Sequence, residues 1–583
     1  MVAYAAFALQ RSAKGPLMTR TPAVPTETGT RGMREALAAA LQQAAREVLG
    51  PDIEVPAAVL MAPPSPDLGD FATNLAMQLA RRVGRPPLDL ARALIERLDG
   101  TAFLDKAVAA PPGFINLTLS PEWLHETTAN ILRLGALYGR NDLGQGRSVL
   151  LEFVSANPTG PLTVANGRGG ALGDALSSLL EFSGYAVSRE YYLNDEPAGT
   201  QVQKFGQSLA ARCRQERGQE AAVPEGGYQG EYVRDLAREL LHDPTMASAV
   251  ADLDAHTTEL AQWGIARLLV GIKATLERFG IQYDSFASES AYHRTGGVRE
   301  AIAALVRAGH AYEQEGATWL RSTEWGDDKD RVLLRATGAP TYLASDVAYH
   351  RDKFERGFGL LIDIWGADHH GYVQRTKAAV GAMGYNPDDL HIIIHQLVNL
   401  YRGREPVRMS TRAGEFVTLD EVLEEVGRDA TRFFMLSRAS ETPVDFDLEL
   451  AKKQSLDNPV YYVQYAHTRC CSIFRAAEER GMTPPDPEHA HLSELRHPTE
   501  LRLQRVLADF PEMVLESARA YEPHHLTRYG HELASAFHAF YTECRVLGEA
   551  PRVETARSVL VAATQVVLQQ VLGLLGVSAP DRM

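Results

Sequence analysis

Residues 148–184 read SVLLEFVSANPTGPLTVANGRGGALGDALSSLLEFSG, and the fold is decided by how this stretch is read. Val149 to Val154 is an apolar run broken only by Glu152, and its length is that of a buried strand. Asn157-Pro158-Thr159-Gly160-Pro161 has turn chemistry. A helix is predicted from about Gly167 to Phe182, stopped at Gly184, and Ala186 to Leu193 reads as a second strand. Strand, turn, helix and strand make the βαβ unit of parallel nucleotide-binding sheets. Small residues crowd the strand-to-helix junction, where free amides at a helix start can hold phosphate. No Gly-Lys-Ser/Thr follows, so this is not a Walker A loop. Leu172 stands where the third glycine of a dinucleotide fingerprint belongs. Residue by residue, a tight βα turn with close helix packing explains the stretch as well as a phosphate site does.

Outward from this unit, a more polar insertion is expected at about 200–330. Beyond it the α/β alternation resumes, with helix predicted over 342–354, strand over 360–365, helix over 372–383 and strand over 391–400. The last part, 453–583, reads as all helix: Leu533, Phe537 and Tyr541 share a face, as do Leu560, Val567, Val571 and Leu574. Upstream, residues 33–145 read as a small α/β domain with a helix opening at Met33, a second helix over 88–98 and a strand over 113–117. Residues 1–32, rich in Pro and Thr, are expected to be a disordered tail or a misassigned start. The catalytic part is then 146–452.

The 583 residues are too many for one core, and three or four domains are expected. Cys213, Cys470, Cys471 and Cys544 form no Cys-x-x-Cys pair, which argues against a zinc knuckle or a disulfide framework and for a reduced, cytoplasmic setting. No apolar run approaches the ~20 residues of a membrane span. A formal charge of -15 speaks against a general nucleic-acid binder but leaves room for a local basic face.

Two further segments sharpen the reading. Val407-Arg408-Met409-Ser410-Thr411-Arg412 follows the last predicted strand, and Trp365-Gly366-Ala367-Asp368-His369-His370 follows the strand before it. Taken with residues 157–168, they make the chain resemble arginyl-tRNA synthetase, a class I aminoacyl-tRNA synthetase. The resemblance implies an α/β Rossmann-like class I synthetase catalytic domain with a small N-terminal α/β domain and an all-α C-terminal bundle. In the His-Ile-Gly-His region both histidines are replaced, leaving Thr163 and Asn166, which can still donate hydrogen bonds to phosphate but carry no charge. In the Lys-Met-Ser-Lys-Ser loop, Arg408 takes the first lysine position and Thr411 the second. The resemblance implies catalytic roles for Thr163, Asn166, Arg168, Arg408, Ser410 and Arg412. It implies ATP contacts from Pro161, Gly167, Gly169, Gly366, Asp368, His369 and Met409. Asp368-His369-His370 could also suggest a metal site, but no third ligand stands at suitable spacing.

An arginine pocket needs carboxylates and planar acceptors for the guanidinium. By carry-over, Tyr342 and Asp346, which share a helix face, would hold it, with Glu152, Ser155 and Asn157 around the rest of the amino acid. The segment around Asn74 resembles the family's extra tRNA-binding domain, and Tyr461, Tyr465 and Arg469 suit unstacked bases in an anticodon-binding bundle. The implied partners are ATP with Mg²⁺, L-arginine and tRNA(Arg), with no tightly bound metal, no membrane and a monomeric enzyme. Two alternatives stay open: a class I synthetase for another amino acid, and a non-catalytic tRNA-binding paralogue.

Overall fold

The computed structural model describes residues 33–61, 63–98, 101, 103–407 and 417–583. The expected tail at 1–32 lies outside these residues, as do Arg408, Met409, Ser410 and Arg412.

The βαβ unit forms as the sequence predicts and seeds a five-stranded parallel sheet. Its strands in chain order are β1 (Ser148–Glu152), β2 (Ala186–Leu193), β3 (Ser285–Ser288), β4 (Leu360–Gly366) and β5 (Leu390–His395). Across the sheet they run β5-β4-β1-β2-β3. The order reverses between β1 and β4, and in such sheets ligands bind outside the carboxyl ends of the strands at that switch point. Helix α1 (Val164–Phe182) returns from β1 and is buried along most of its length. Gly173 lets it approach: a Cβ there would stand 2.2 Å from the Phe153 ring. Helix α2 (Tyr342–Glu355) leads into β4.

Two expectations about this domain are corrected. The segment 200–330 is not one insertion, because β3 within it is the edge strand of the main sheet, paired with β2. Before β3, the helices Thr200–Glu216, Glu231–His242 and Thr257–Arg278 enclose a separate apolar core around Phe205, Leu209, Val233 and Leu260. After it comes a small antiparallel sheet (311–334). The β3 signal is short and flanked by polar residues, so hydropathy hid it. The predicted strand over 391–400 is two strands: β5 stays in the main sheet, while Val398–Arg402 pairs with Val444–Asp447 in another. The break at Gln396-Leu397 is held by Arg168, whose guanidinium donates to the Gln396 carbonyl at 2.7 Å.

The N-terminal unit is smaller than expected. Its three-stranded antiparallel sheet and helices Met33–Leu49, Leu75–Val83 and Pro87–Ile95 share a core containing Leu37, Leu75, Leu90 and Leu117. Helix Pro121–Leu134, placed with it from sequence, gives only its first turn, with Leu124, to that core, and otherwise packs on Pro498–Ala508 and Pro551–Leu574 of the C-terminal bundle. The helix Pro551–Leu574 is apolar enough to cross a membrane by composition, yet it is the buried centre of that bundle. The bundle and the catalytic domain share one continuous core. They are pinned by Arg432, which is fully buried: its guanidinium donates to Asp174 Oδ2 on α1 at 2.7 Å, to the Phe279 carbonyl at 3.1 Å and to the Leu575 carbonyl at 2.9 Å.

Candidate active site at the carboxyl ends of the sheet

The turn after β1 is strained. Val154 and Ser155 have φ of 68° and 38°, left-handed backbone that non-glycine residues seldom adopt. Neighbours enforce it: Ser155 Oγ donates to Glu152 Oε1 at 2.9 Å and accepts the Tyr192 amide at 3.1 Å, while the Tyr283 hydroxyl donates to the Phe153 carbonyl at 2.8 Å. Strain that persists because its surroundings over-determine it clusters at functional sites. Farther along, Asn157 Nδ2 donates to Gln201 Oε1 at 2.9 Å, so the helical insertion caps this turn.

At the start of α1, Thr163 is the N-cap, and Asn166 Oδ1 accepts from both the Thr163 amide (2.8 Å) and the Thr163 hydroxyl (2.9 Å). The two residues that replace the histidines therefore hold each other through Asn166 Oδ1. Thr163 also forms a bridge with Thr418, and the Leu419 amide donates to the Leu162 carbonyl at 2.8 Å. The chain from Val417 onward is thereby anchored beside the helix start.

Two predicted site residues belong elsewhere. Arg168 is buried and spends its guanidinium on main-chain carbonyls, with Ala439 at 2.9 Å and Thr442 at 2.6 Å besides Gln396. Burial pushes its pKa down to about 10. It fixes the crossing between β5 and the following sheet, with both terminal nitrogens turned to main-chain carbonyls rather than to the crevice. Gly167 turns toward Leu419 and Met435, where a Cβ would meet Leu419 Cδ1 at 2.7 Å, so it is a packing glycine. Gly169 does line the crevice, facing His395 at the end of β5. Pro161 lies in the turn before α1. Gly366 ends β4 and is followed by Asp368 and His369 on a short 3₁₀ turn, with both side chains open to solvent and 3.5 Å apart.

Beneath the crevice lies a row of acids. Asp363 on β4, Glu152 on β1 and Glu190 on β2 are in register on adjacent strands, so their side chains project from one face. Helix α2 supplies the cations and donors. Lys353 Nζ, fully buried, reaches Glu152 Oε2 at 2.6 Å and Asp363 Oδ1 at 2.8 Å. His350 Nε2 meets Asp363 Oδ2 at 2.8 Å, and the Tyr349 hydroxyl donates to Glu190 Oε1 at 2.8 Å. Arg356 forks onto both Glu190 oxygens at 2.7 and 2.8 Å. Burial raises the Glu152 pKa against the pull of Lys353. Asp363 is buried too, yet Lys353 and His350 hold it below the usual carboxylate range.

One turn before His350, Asp346 lies above this network. Its carboxylate has no hydrogen bond or ion pair from any described residue, and burial pushes its pKa up to about 6. Glu289, just past β3, faces the same recess. It is buried, its nearest cation partner is His293 at 3.9 Å, and burial pushes it up to about 7, with the Ser345 hydroxyl opposing and the charge of Asp346 adding. Tyr342 is half exposed at the mouth. Of the residues expected around the amino acid, Asp346, Tyr342, Glu152, Ser155 and Asn157 all lie at this end of the sheet. Glu289 was missed because its strand was read as insertion. A Ser-Glu-Ser after Ser285-Phe286-Ala287 is a faint signal.

On the bundle, Tyr461 and Tyr465 stack with ring centroids 6.1 Å apart, and the Arg469 guanidinium sits 5.1 Å over Tyr465 and 5.4 Å over Tyr541. All are partly open to solvent. Asn74 is more local: its Oδ1 accepts from Gln78 Nε2 at 2.7 Å beside the N-terminal sheet.

Comparison with known proteins covers most of the chain. Residues 127–445 match the family model "tRNA synthetases class I (R), catalytic domain", residues 32–119 match "Arginyl tRNA synthetase N terminal domain", and residues 463–583 match "DALR anticodon binding domain". The "Arginine--tRNA ligase" of Desulforamulus reducens is 47% identical over 532 residues, 91% of this chain and 94% of that protein. The one from Moorella thermoacetica is 48% identical over 534 residues, with the same coverage. Among solved structures, the arginyl-tRNA synthetase of Thermus thermophilus superposes with a TM-score of 0.73 at 26% identity, covering 94% of this chain and all of that one.

Proposed function

Because the chain belongs to the arginyl-tRNA synthetase family and ligates arginine to tRNA(Arg), we propose how its residues divide that work. The observation that carries the assignment is the pair of carboxylates, Asp346 and Glu289, without a cation of their own in a recess whose other acids are neutralised. A guanidinium supplies the missing charge and a planar fork of donors, whereas a shorter or neutral side chain leaves two acids unpaired in a low-dielectric site. Tyr342 closes the mouth. Ser155, Asn157 and Glu152 flank the α-amino group; the oxygens of Glu152 that bind Lys353 and Ser155 each keep a lone pair for an ammonium.

With the side chain so held, the α-carboxylate of arginine attacks the α-phosphorus of ATP. The bond to the bridging oxygen breaks and pyrophosphate leaves with the electron pair. The start of α1 offers amides and Asn166 Nδ2 to the phosphates, and Gly169, Asp368 and His369 border the nucleoside. Arg408 and Arg412 clamp the leaving pyrophosphate, with Met409 and Ser410 between them. The 2′-hydroxyl of the terminal tRNA adenosine then attacks the carbonyl carbon of the adenylate and AMP departs. Catalysis of this kind rests on positioning and charge stabilisation more than on proton transfer, so the chemistry does not require the replaced histidines. The first turn of α1 carries no carboxylate, so the residues do not form a metal cage there, and Mg²⁺ would be held through the ATP phosphates. The Tyr461–Tyr465–Arg469 ladder offers stacking to anticodon bases, Asn74 lies on the second tRNA-binding unit, and a cytoplasmic monomer suits the whole.

Arginine-dependent ATP–pyrophosphate exchange, with and without tRNA and against the other amino acids, tests this reading. Exchange with arginine and no other amino acid is expected, and arginine-independent or absent exchange by folded protein would overturn it. The pH dependence follows from the two raised carboxyls. Guanidinium binds only their ionised forms, so below the higher value binding must release a proton. KM for arginine is therefore expected to fall about tenfold per unit between pH 6 and 7 and to level by about pH 8. The stability sign is opposite for the ligand-free protein. The unfolded carboxyls ionise near pH 4 and the folded ones near 6 and 7, so stability declines as pH rises through that window. Bound arginine restores it, and the arginine-induced rise in Tm should grow from pH 5 to pH 8. A KM flat across this range would exclude these two acids as the guanidinium partners.

A further inference from the structure

Tyr192, on β2, has a hydroxyl that is buried with no hydrogen-bond partner among the described residues, although the residue itself is only 6% exposed. A buried polar group left without a hydrogen bond is costly, and such orphans are rare in native proteins. Its position is fixed twice: the ring stacks on Tyr349 with centroids 4.3 Å apart and planes at 24°, and its amide donates to Ser155 Oγ. The charged groups acting on the hydroxyl are, in order, Glu289, Asp346 and Glu152. These are the acids of the recess. Of these, Glu152 is neutralised by Lys353, while Glu289 and Asp346 have no lysine or arginine partner among the described residues.

We infer that Tyr192 is a specificity-determining residue of the amino-acid pocket: its hydroxyl donates to one of the recess carboxylates and accepts an N–H of the guanidinium, so that it is satisfied only when arginine is bound. This rests on the reading of Asp346 and Glu289 as guanidinium partners. The hydroxyl suits that place because a guanidinium has donors and no acceptor, while a carboxylate has acceptors and no donor. A tyrosine hydroxyl serves both at once. An unsatisfied group in the empty recess also makes binding the event that relieves the cost, a trade of stability for affinity at a functional site.

The test is Tyr192→Phe in the full-length enzyme, which keeps the ring and its stack on Tyr349. KM for arginine is expected to rise about tenfold or more, the scale of one hydrogen bond to a charged group, while KM for ATP does not move. The ligand-free Tm should rise, because an orphaned buried hydroxyl is gone. A KM for arginine within about twofold of the parent overturns the inference, as does a fall in Tm with equal changes in both KM values, which would mark a structural hydroxyl. Asp346→Asn is measured alongside. If Asp346→Asn leaves arginine use intact, the pocket assignment itself is wrong. If it abolishes arginine use while Tyr192→Phe leaves KM untouched, only the role of Tyr192 falls.

Discussion

Exchanging Asp346 for asparagine should lower kcat/KM for arginine by about two orders of magnitude or more in pyrophosphate exchange, with KM for ATP unaffected. The asparagine keeps the shape and removes the charge. It also turns an N–H₂ toward a ligand that has only donors. Truncating one partner of a buried, hydrogen-bonded charge pair costs about 2–5 kcal/mol, and each 1.36 kcal/mol is about tenfold in rate. The variant should fold as well as the parent. Among the described residues Asp346 has no hydrogen bond or ion pair to lose, and burial already disfavours its charge. That pairing of a large kinetic loss with an unchanged or higher Tm separates a substrate ligand from a structural acid. Parent-like kcat/KM would move the guanidinium site away from α2.

Lys353→Met is expected to do the opposite: damage the fold first. Methionine fills much of the same space, but it leaves Glu152 and Asp363 in register on adjacent strands with no cation between them. Removing one partner of a buried ion pair is destabilising by about 3–5 kcal/mol, because the charge left behind is uncompensated. Thermal unfolding at pH 7.5 should therefore show a much lower Tm for the transition that includes the catalytic domain. Acid should partly rescue it. With Lys353 gone, the folded carboxyls have raised pKa values and the unfolded ones do not, so the variant loses stability as pH rises and regains it toward pH 5. A Tm equal to the parent's at pH 7.5 would mean that Lys353 does not neutralise the row.

Local chemistry made much of this molecule readable. The βαβ unit at 148–193 follows from a strand-length apolar run, a Pro-Gly turn and a stopped helix. These are short-range facts, and the structure has them within a few residues. The five helices of the C-terminal bundle follow in the same way from apolar faces such as Leu560, Val567 and Val571, which are buried. Tyr342 and Asp346, four apart, were legible as sharing one helix face, and that helix leads into β4. What failed was of another kind. Arg168, beside a glycine-rich helix start, carries every local mark of a phosphate ligand, and only the path of the chain at 396 and 439–442 turns four carbonyls toward it. β3 has too little hydropathy to be seen, because an edge strand needs only one well-covered side.

The sequence by itself determined which segments become strands and helices, and which residue types are available for phosphate and guanidinium. Those depend on periodicity and on side-chain chemistry within a few residues. The tertiary structure alone decided which acids are free. Asp363, Glu152 and Glu190 come together only through strand register, Lys353 and Arg356 neutralise them only through the packing of α2, and Asp346 and Glu289 are left with no lysine or arginine partner among the described residues. Charge balance in a low-dielectric site is a sum over every group within reach, and that sum is set by distances that no local stretch of sequence contains.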